Sequence, residues 1–213
     1  MSARSRILGR IRAAALPEVA HPGRYVSPAA ARADWDRFGA GLRAAGAEAW
    51  GPVARSELPA LLRERLAPLG GGRVVCEPAA AELLGPGPWE TAAPGTAPGA
   101  FADVAVAVAL GSLGVAEDGA VALQASLAPD RALLFLCERL VLLVDAERIV
   151  SDLHAALERL GPAAAAPPHV TWISGPSKTS DIEQTLVVGA HGPRALDVLG
   201  FRERDRGGPP QAP

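Results

Sequence analysis

The apolar positions of this chain change period along its length, and the changes separate helical from strand-like stretches. Trp35, Phe38 and Leu42 are spaced i, i+3, i+7, which predicts a helix over 28–45 with one buried face, closed by Gly46. After Ser56-x-x-Pro59, Leu58, Leu61, Leu62, Leu66 and Leu69 repeat the helical period until three glycines, Gly70 to Gly72, stop it. Ile7, Leu8 and Ile11 make 2–16 an amphipathic helix that ends at Pro17. Leu153, Leu157 and Leu160 form the apolar stripe of a helix over 151–160, with Ser151 as its cap. A helical turn is predicted at 79–84. Short apolar runs at 48–53, 73–76, 102–108, 120–125, 133–136, 140–144, 169–174 and 195–201 read as strands. Several lack polar alternation, which suits a sheet buried on both faces.

Strands alternating with helices give an α/β class: a mainly parallel twisted sheet flanked by helices. The strand-rich centre, 102–144, is expected to add antiparallel strands to that same sheet. The Pro- and Gly-rich stretch 85–99 is a surface loop or a connector. The expected organisation is an N-terminal helix and linker over 1–28, one α/β domain over 29–202, and a flexible tail over 203–213.

Composition narrows the function. Of 213 residues, 49% are hydrophobic but only 4% aromatic, so the core is built from Ala, Val and Leu. A net charge of −2 and a pI near 6.1 lack the basic footprint of a nucleic-acid binder. No run approaches the ~18 uncharged apolar residues of a membrane span. The best stretch, 132–144, is cut by Glu138 and Arg139. The first sixteen residues carry four Arg and no acid but no secretory apolar core, so they read as a surface helix. One Lys, no Asn and abundant Ala, Gly, Pro and Arg match a GC-rich bacterial genome, which places the protein in a bacterial cytoplasm.

Cys76 and Cys137 lie far apart in apolar runs and read as buried free thiols. Two cysteines cannot supply the roughly four ligands of an iron–sulfur cluster. His21, His154 and His169 have no metal-ligand spacing, so neither a metal nor a cofactor is expected. Phosphate-loop, dinucleotide-binding and nucleophile-elbow motifs are also missing.

The chemistry concentrates in TWISGPSKTSDIEQTLVVGAHGP, residues 171–193. A strand ending at Ser174 would reach the carboxyl edge of the sheet, where ligands of open α/β folds bind. Gly175-Pro176 forces a turn. Ser180-x-x-Glu183 matches a capping box for a helix starting at 180–186. Ser174, Gly175, Ser177, Lys178, Thr179 and Gly192 then form a candidate anion site near a helix N-terminus, with Lys178 supplying the charge. Asp181 and Glu183 already complement that helix dipole, so a well-capped helix with a solvated Lys explains the same residues. His191, between two glycines, is a candidate acid/base or a turn residue. Glu117 and Asp118 form a paired carboxylate that a polar turn also explains. The catalytic candidates are His191, Glu117 and Asp181.

The block from Ile173 through Pro193 resembles the LUD-domain family in its lactate-utilisation protein C branch. The family pattern runs I-S-G-P-S-[RK]-T-[AS]-D-I-E and, after a few residues, G-x-H-G-P. LGSLGVAEDGAVAL resembles the family's other motif, A-E-[TS]-G-[TS], from which Asp118 and Ala120 depart. The resemblance implies a fold similar to sugar-isomerase, CoA-transferase and 5-formyltetrahydrofolate cyclo-ligase proteins. It also implies a role in oxidation of L-lactate to pyruvate alongside iron–sulfur partner proteins, as the subunit without a cluster. The competing expectation is a free-standing enzyme of the cyclo-ligase or CoA-transferase type that binds a small anionic ligand at 174–181. The family supplies no agreed catalytic set to carry over.

Overall fold

The computed structural model of the chain describes residues 2–14, 20, 23, 32–124, 130–161, 170–180 and 184–203. Six parallel strands make the main sheet, in the order β1 (Glu48–Ala54), β12 (Ala195–Arg202), β7 (Arg139–Asp145), β4 (Val104–Leu110), β2 (Arg73–Cys76) and β3 (Glu90–Thr91). The unbroken apolar run of β7 places it at the centre. Leu140, Leu142 and Val144 pack into one core and Val141 and Leu143 into another, as the period of two requires. Each such buried side chain contributes about 1.5–3 kcal/mol. On the Val141 side lie α3 (Leu58–Leu66) and α4 (Pro78–Leu84). On the other side lies α2 (Trp35–Ala44), which buries Phe38 and Leu42 in the period that the sequence shows.

The antiparallel strands leave the main sheet instead of joining it. β8 (Ile149–Val150), β5 (Leu113–Val115), β6 (Val121–Gln124) and β9 (Val170–Ile173) form a second sheet in that order. The corner is Gly111. Its N–H still donates to Leu143 of β7, whereas the next N–H, of Ser112, donates to Ala122 of β6. A Cβ at Gly111 would stand 2.6 Å from Val121 and 3.1 Å from Val144, so only glycine lets the chain change sheets here. The second sheet packs on the α2 side of the main sheet through Val121 and Leu123, and α6 (Leu153–Leu160) covers its far side.

Several sequence expectations change. Residues 133–136 are one helical turn, α5 (Leu133–Leu136), with Leu133 and Leu134 buried and Phe135 and Leu136 exposed. A four-residue apolar run satisfies either period, so the run by itself does not choose between strand and helix. The cap of α6 is Asp152, whose Oδ1 accepts from the Ala155 N–H at 3.0 Å, not Ser151. Its inward side is Ala155, Ala156 and Leu160, while Leu153 and Leu157 are exposed. The N-terminal helix α1 (Ala3–Ala13) forms, but buries none of its residues. No helix among the described residues is long and apolar enough to cross a membrane.

Candidate functional site

The site begins at the end of α2. There Gly46, at φ +82°, closes a Schellman motif: its N–H donates to the Arg43 carbonyl, and the Ala47 N–H reaches back to Leu42. The Ala45 carbonyl is left over. The Nζ of Lys178 donates to it at 2.7 Å. Lys178 thus places its charge where a helix dipole attracts a cation. Gly175, at φ +78°, makes the approach possible, because a Cβ there would lie 2.5 Å from the same Ala45 oxygen. A Cβ at Gly46 would lie 2.6 Å from Lys178 Nζ.

A second segment docks on the same helix. Gly119 packs backbone to backbone on α2, and its Cβ would stand 2.3 Å from the Leu42 nitrogen. The turn carrying Gly119 is tied to the first segment: the Ser174 hydroxyl donates to the Asp118 carbonyl at 3.1 Å. The sequence blocks around Ala116–Gly119 and Ser174–Lys178 therefore meet at one helix end. Sequence reading missed α2 as their platform. Its internal Gly39 and Gly41 were the available signal, since glycine inside a helix costs stability unless something approaches closely.

The expected helix over 180–186 is not what Lys178 precedes. Lys178 and Thr179 form β10 (Lys178–Thr179), paired antiparallel with β11 (Val187–Val188), and Gln184, Thr185 and Leu186 are not helical. Asp181 and Glu183, and with them the capping box, lie outside the described residues, as do His21 and His169. The hairpin is closed by the Ser177 N–H donating to Pro193 and the Gly189 N–H donating to Ser177. So the cation meets the carboxyl end of α2 rather than an anion at the amino end of its own helix. The strand leading into the turn, β9, belongs to the second sheet and not to the carboxyl edge of the main one.

Beside this loop runs a cleft of about 270 Å³. Ser174, Gly175, Ser177, Lys178, His191 and Gly192 line one part of it, and Leu134, Phe135, Leu140, Trp172, Ile173 and Leu196 line the rest. Six sequence candidates are brought together here. Thr179 is not among the lining residues, and Glu117 sits exposed on its turn away from them. His191 is exposed, and no described carboxylate is hydrogen-bonded to it to orient the ring as an acid/base pair requires. Among the described residues no group of three or more His, Cys, Asp or Glu side chains is placed to hold a metal. Burial pushes both thiols up, Cys76 and Cys137 each to about 12, and Glu77 adds to the effect at Cys76.

Comparison with known proteins agrees with these segments. Residues 99–199, slightly under half of the chain, match the LUD domain. The lactate utilization protein C of Geobacillus thermodenitrificans is 30% identical over 103 residues, spanning 46% of this chain and 43% of that protein. That of Deinococcus radiodurans is 36% identical over 69 residues, 32% of each chain. An uncharacterized protein of Neisseria meningitidis is 37% identical over 89 residues, 41% of this chain and 38% of that one. The matches thus span less than half the length of each of these relatives. The crystal structure of a DUF162 family protein from Deinococcus radiodurans has the same fold, with a TM-score of 0.58 at 20% identity over 78% of this chain and 94% of that one.

Proposed function

We propose that this chain, whose residues 99–199 match the LUD domain, serves a bacterial lactate-utilisation system as the subunit or accessory protein without an iron–sulfur cluster. The carrying observation is that the two segments resembling the family's motifs converge on one helix end, and that the second of them lines a cleft beside it. The similarity to proteins named lactate utilization protein C supplies the pathway. A further feature supports a role without a cluster: thiols held near 12 are poor sources of the thiolate that a metal needs.

On this reading the protein works in the cytoplasm, beside iron–sulfur proteins that carry the electrons. A strain lacking it is expected to grow poorly on L-lactate as sole carbon source and normally on glucose, and the tagged protein is expected to co-purify with iron–sulfur proteins. Normal growth of the deletion strain on lactate removes the proposal.

A second reading, a free-standing enzyme of the cyclo-ligase or CoA-transferase type, is favoured by one observation: Ser174, Gly175, Ser177, Lys178 and Gly192 line the same cleft. Lys178 keeps two further N–H donors for an anion after bonding Ala45. Thermal-shift measurements with lactate, pyruvate, CoA esters, folates and nucleotides test it. Stabilisation lost in Lys178→Ala supports a ligand site; no shift across the set counts against it.

A further inference from the structure

Among the described residues β9 is the last strand of the second sheet and pairs only with β6, so the cleft lies along a strand edge that no described strand covers. Trp172 packs toward α6 and Ile173 toward the main core, so the two point to opposite faces of the sheet. Both nevertheless line the same cleft, together with Ser174. A space touched from both faces of a strand is beside its edge. The backbone agrees. Ala122 stands opposite Trp172, and its carbonyl accepts from Ser112 on the β5 side of β6. Residues opposite one another in an antiparallel pair turn their N–H and C=O groups either both inward or both outward. Trp172 therefore points its N–H and C=O away from β6, into the cleft, and no described residue bonds them. An unpaired edge of this kind is a template for another strand.

We infer that β9 receives an extended polypeptide segment from a partner protein, added as a fifth strand of the second sheet. Charge decides the occupant. A second copy's β9 reads Val-Thr-Trp-Ile and brings no acid to Lys178, which lines the same cleft, whereas a partner segment carrying an acidic residue can meet it. The walls suit alternating apolar side chains: Leu134, Leu140 and Leu196 form the floor, and Phe135, 45% exposed, stands against Gly192 at the rim. Lys178, which lines the groove, favours an acidic residue in the segment. In this mode main-chain hydrogen bonds give affinity and the side-chain pockets give selectivity. The inference rests on the accessory-subunit reading for the source of the segment.

Amide hydrogen exchange on the full chain gives the first test. The Trp172 amide is expected to exchange much faster than those of Thr171 and Ile173, which face β6; protection of Trp172 in the isolated protein means the edge is already taken and overturns the inference. The second test uses fluorescein-labelled hexapeptides of alternating valine and threonine with a glutamate at either end, followed by anisotropy. Saturable binding is expected, with slowed exchange at Trp172. N-methylation of the amides that face β9 is expected to weaken binding about tenfold or more. Phe135→Glu, at an exposed position, is expected to weaken it similarly while the melting temperature holds. Absence of saturable binding, or equal binding of the N-methylated peptides, overturns the inference. Peptide binding together with normal growth of the deletion strain on lactate keeps the edge and removes the pathway. A growth defect without peptide binding does the reverse.

Discussion

Gly175 and Lys178 reach the same carbonyl from one turn, and their contributions separate by chemistry. Gly175→Ala places a Cβ in the left-handed region and against the Ala45 oxygen. The backbone term alone costs about 1–2 kcal/mol, and the contact adds to it. Lys178→Ala removes a cation from an exposed helix end, worth about 0.3–1 kcal/mol. Urea denaturation is expected to rank Gly175→Ala as the more damaging; the reverse order would mean that the loop is not docked on α2. The two cysteines give a second expectation at this scale. With both thiols buried and held near 12, a maleimide or disulfide reagent at pH 8 is expected to label neither until denaturant is added. The sequence showed Lys178 as the lone lysine and Gly175 as a turn residue, because both facts are local. Their shared target, 133 residues earlier than Lys178, was invisible to any spacing rule.

Among the elements, α2 has the largest consequences. Its first turn is capped by Asp34, whose Oδ1 accepts the Arg37 N–H at 2.9 Å. That bond, with help from the Arg32 charge, holds the Asp34 carboxyl below its ordinary value. A depressed carboxylate stabilises the fold above its ordinary pKa of about 4 and loses that contribution as pH falls through the lower folded value. Asp34→Asn, which still caps, is expected to keep stability near pH 7 and to flatten its decline below about pH 4. Asp34→Ala is expected to lose stability at neutral pH as well. Acid titration of the urea midpoint reads both, and an unchanged acid limb in Asp34→Asn would remove Asp34 from the account. Element type was legible where a helical period persisted, as in α2 and α3, and where a longer unbroken apolar run implied a buried strand, as in β7. It failed at 133–136, a run too short to show a period. At 180–186 a capping signature stood in for a helix that the described residues do not form.

For the whole molecule, the two sheets share one core, so the described domain is expected to unfold in a single transition. α1 contributes nothing buried to it. Deleting residues 1–14 is expected to shift the melting temperature by no more than about 2 °C, as read by scanning calorimetry; a larger fall would show that α1 packs on the domain in solution. By itself the sequence determined the α/β class, the parallel strands buried on both faces, and the segment 171–193 as the place to look. Those properties follow from side-chain period and local turn chemistry, which neighbouring residues fix among themselves. The tertiary structure decided that the antiparallel strands form a second sheet, that both motif segments rest on the end of α2, and that β9 leaves an edge open beside them. These depend on which backbone groups find partners across the chain, and that is settled by packing and by close approaches only glycine permits at Gly111, Gly119 and Gly175.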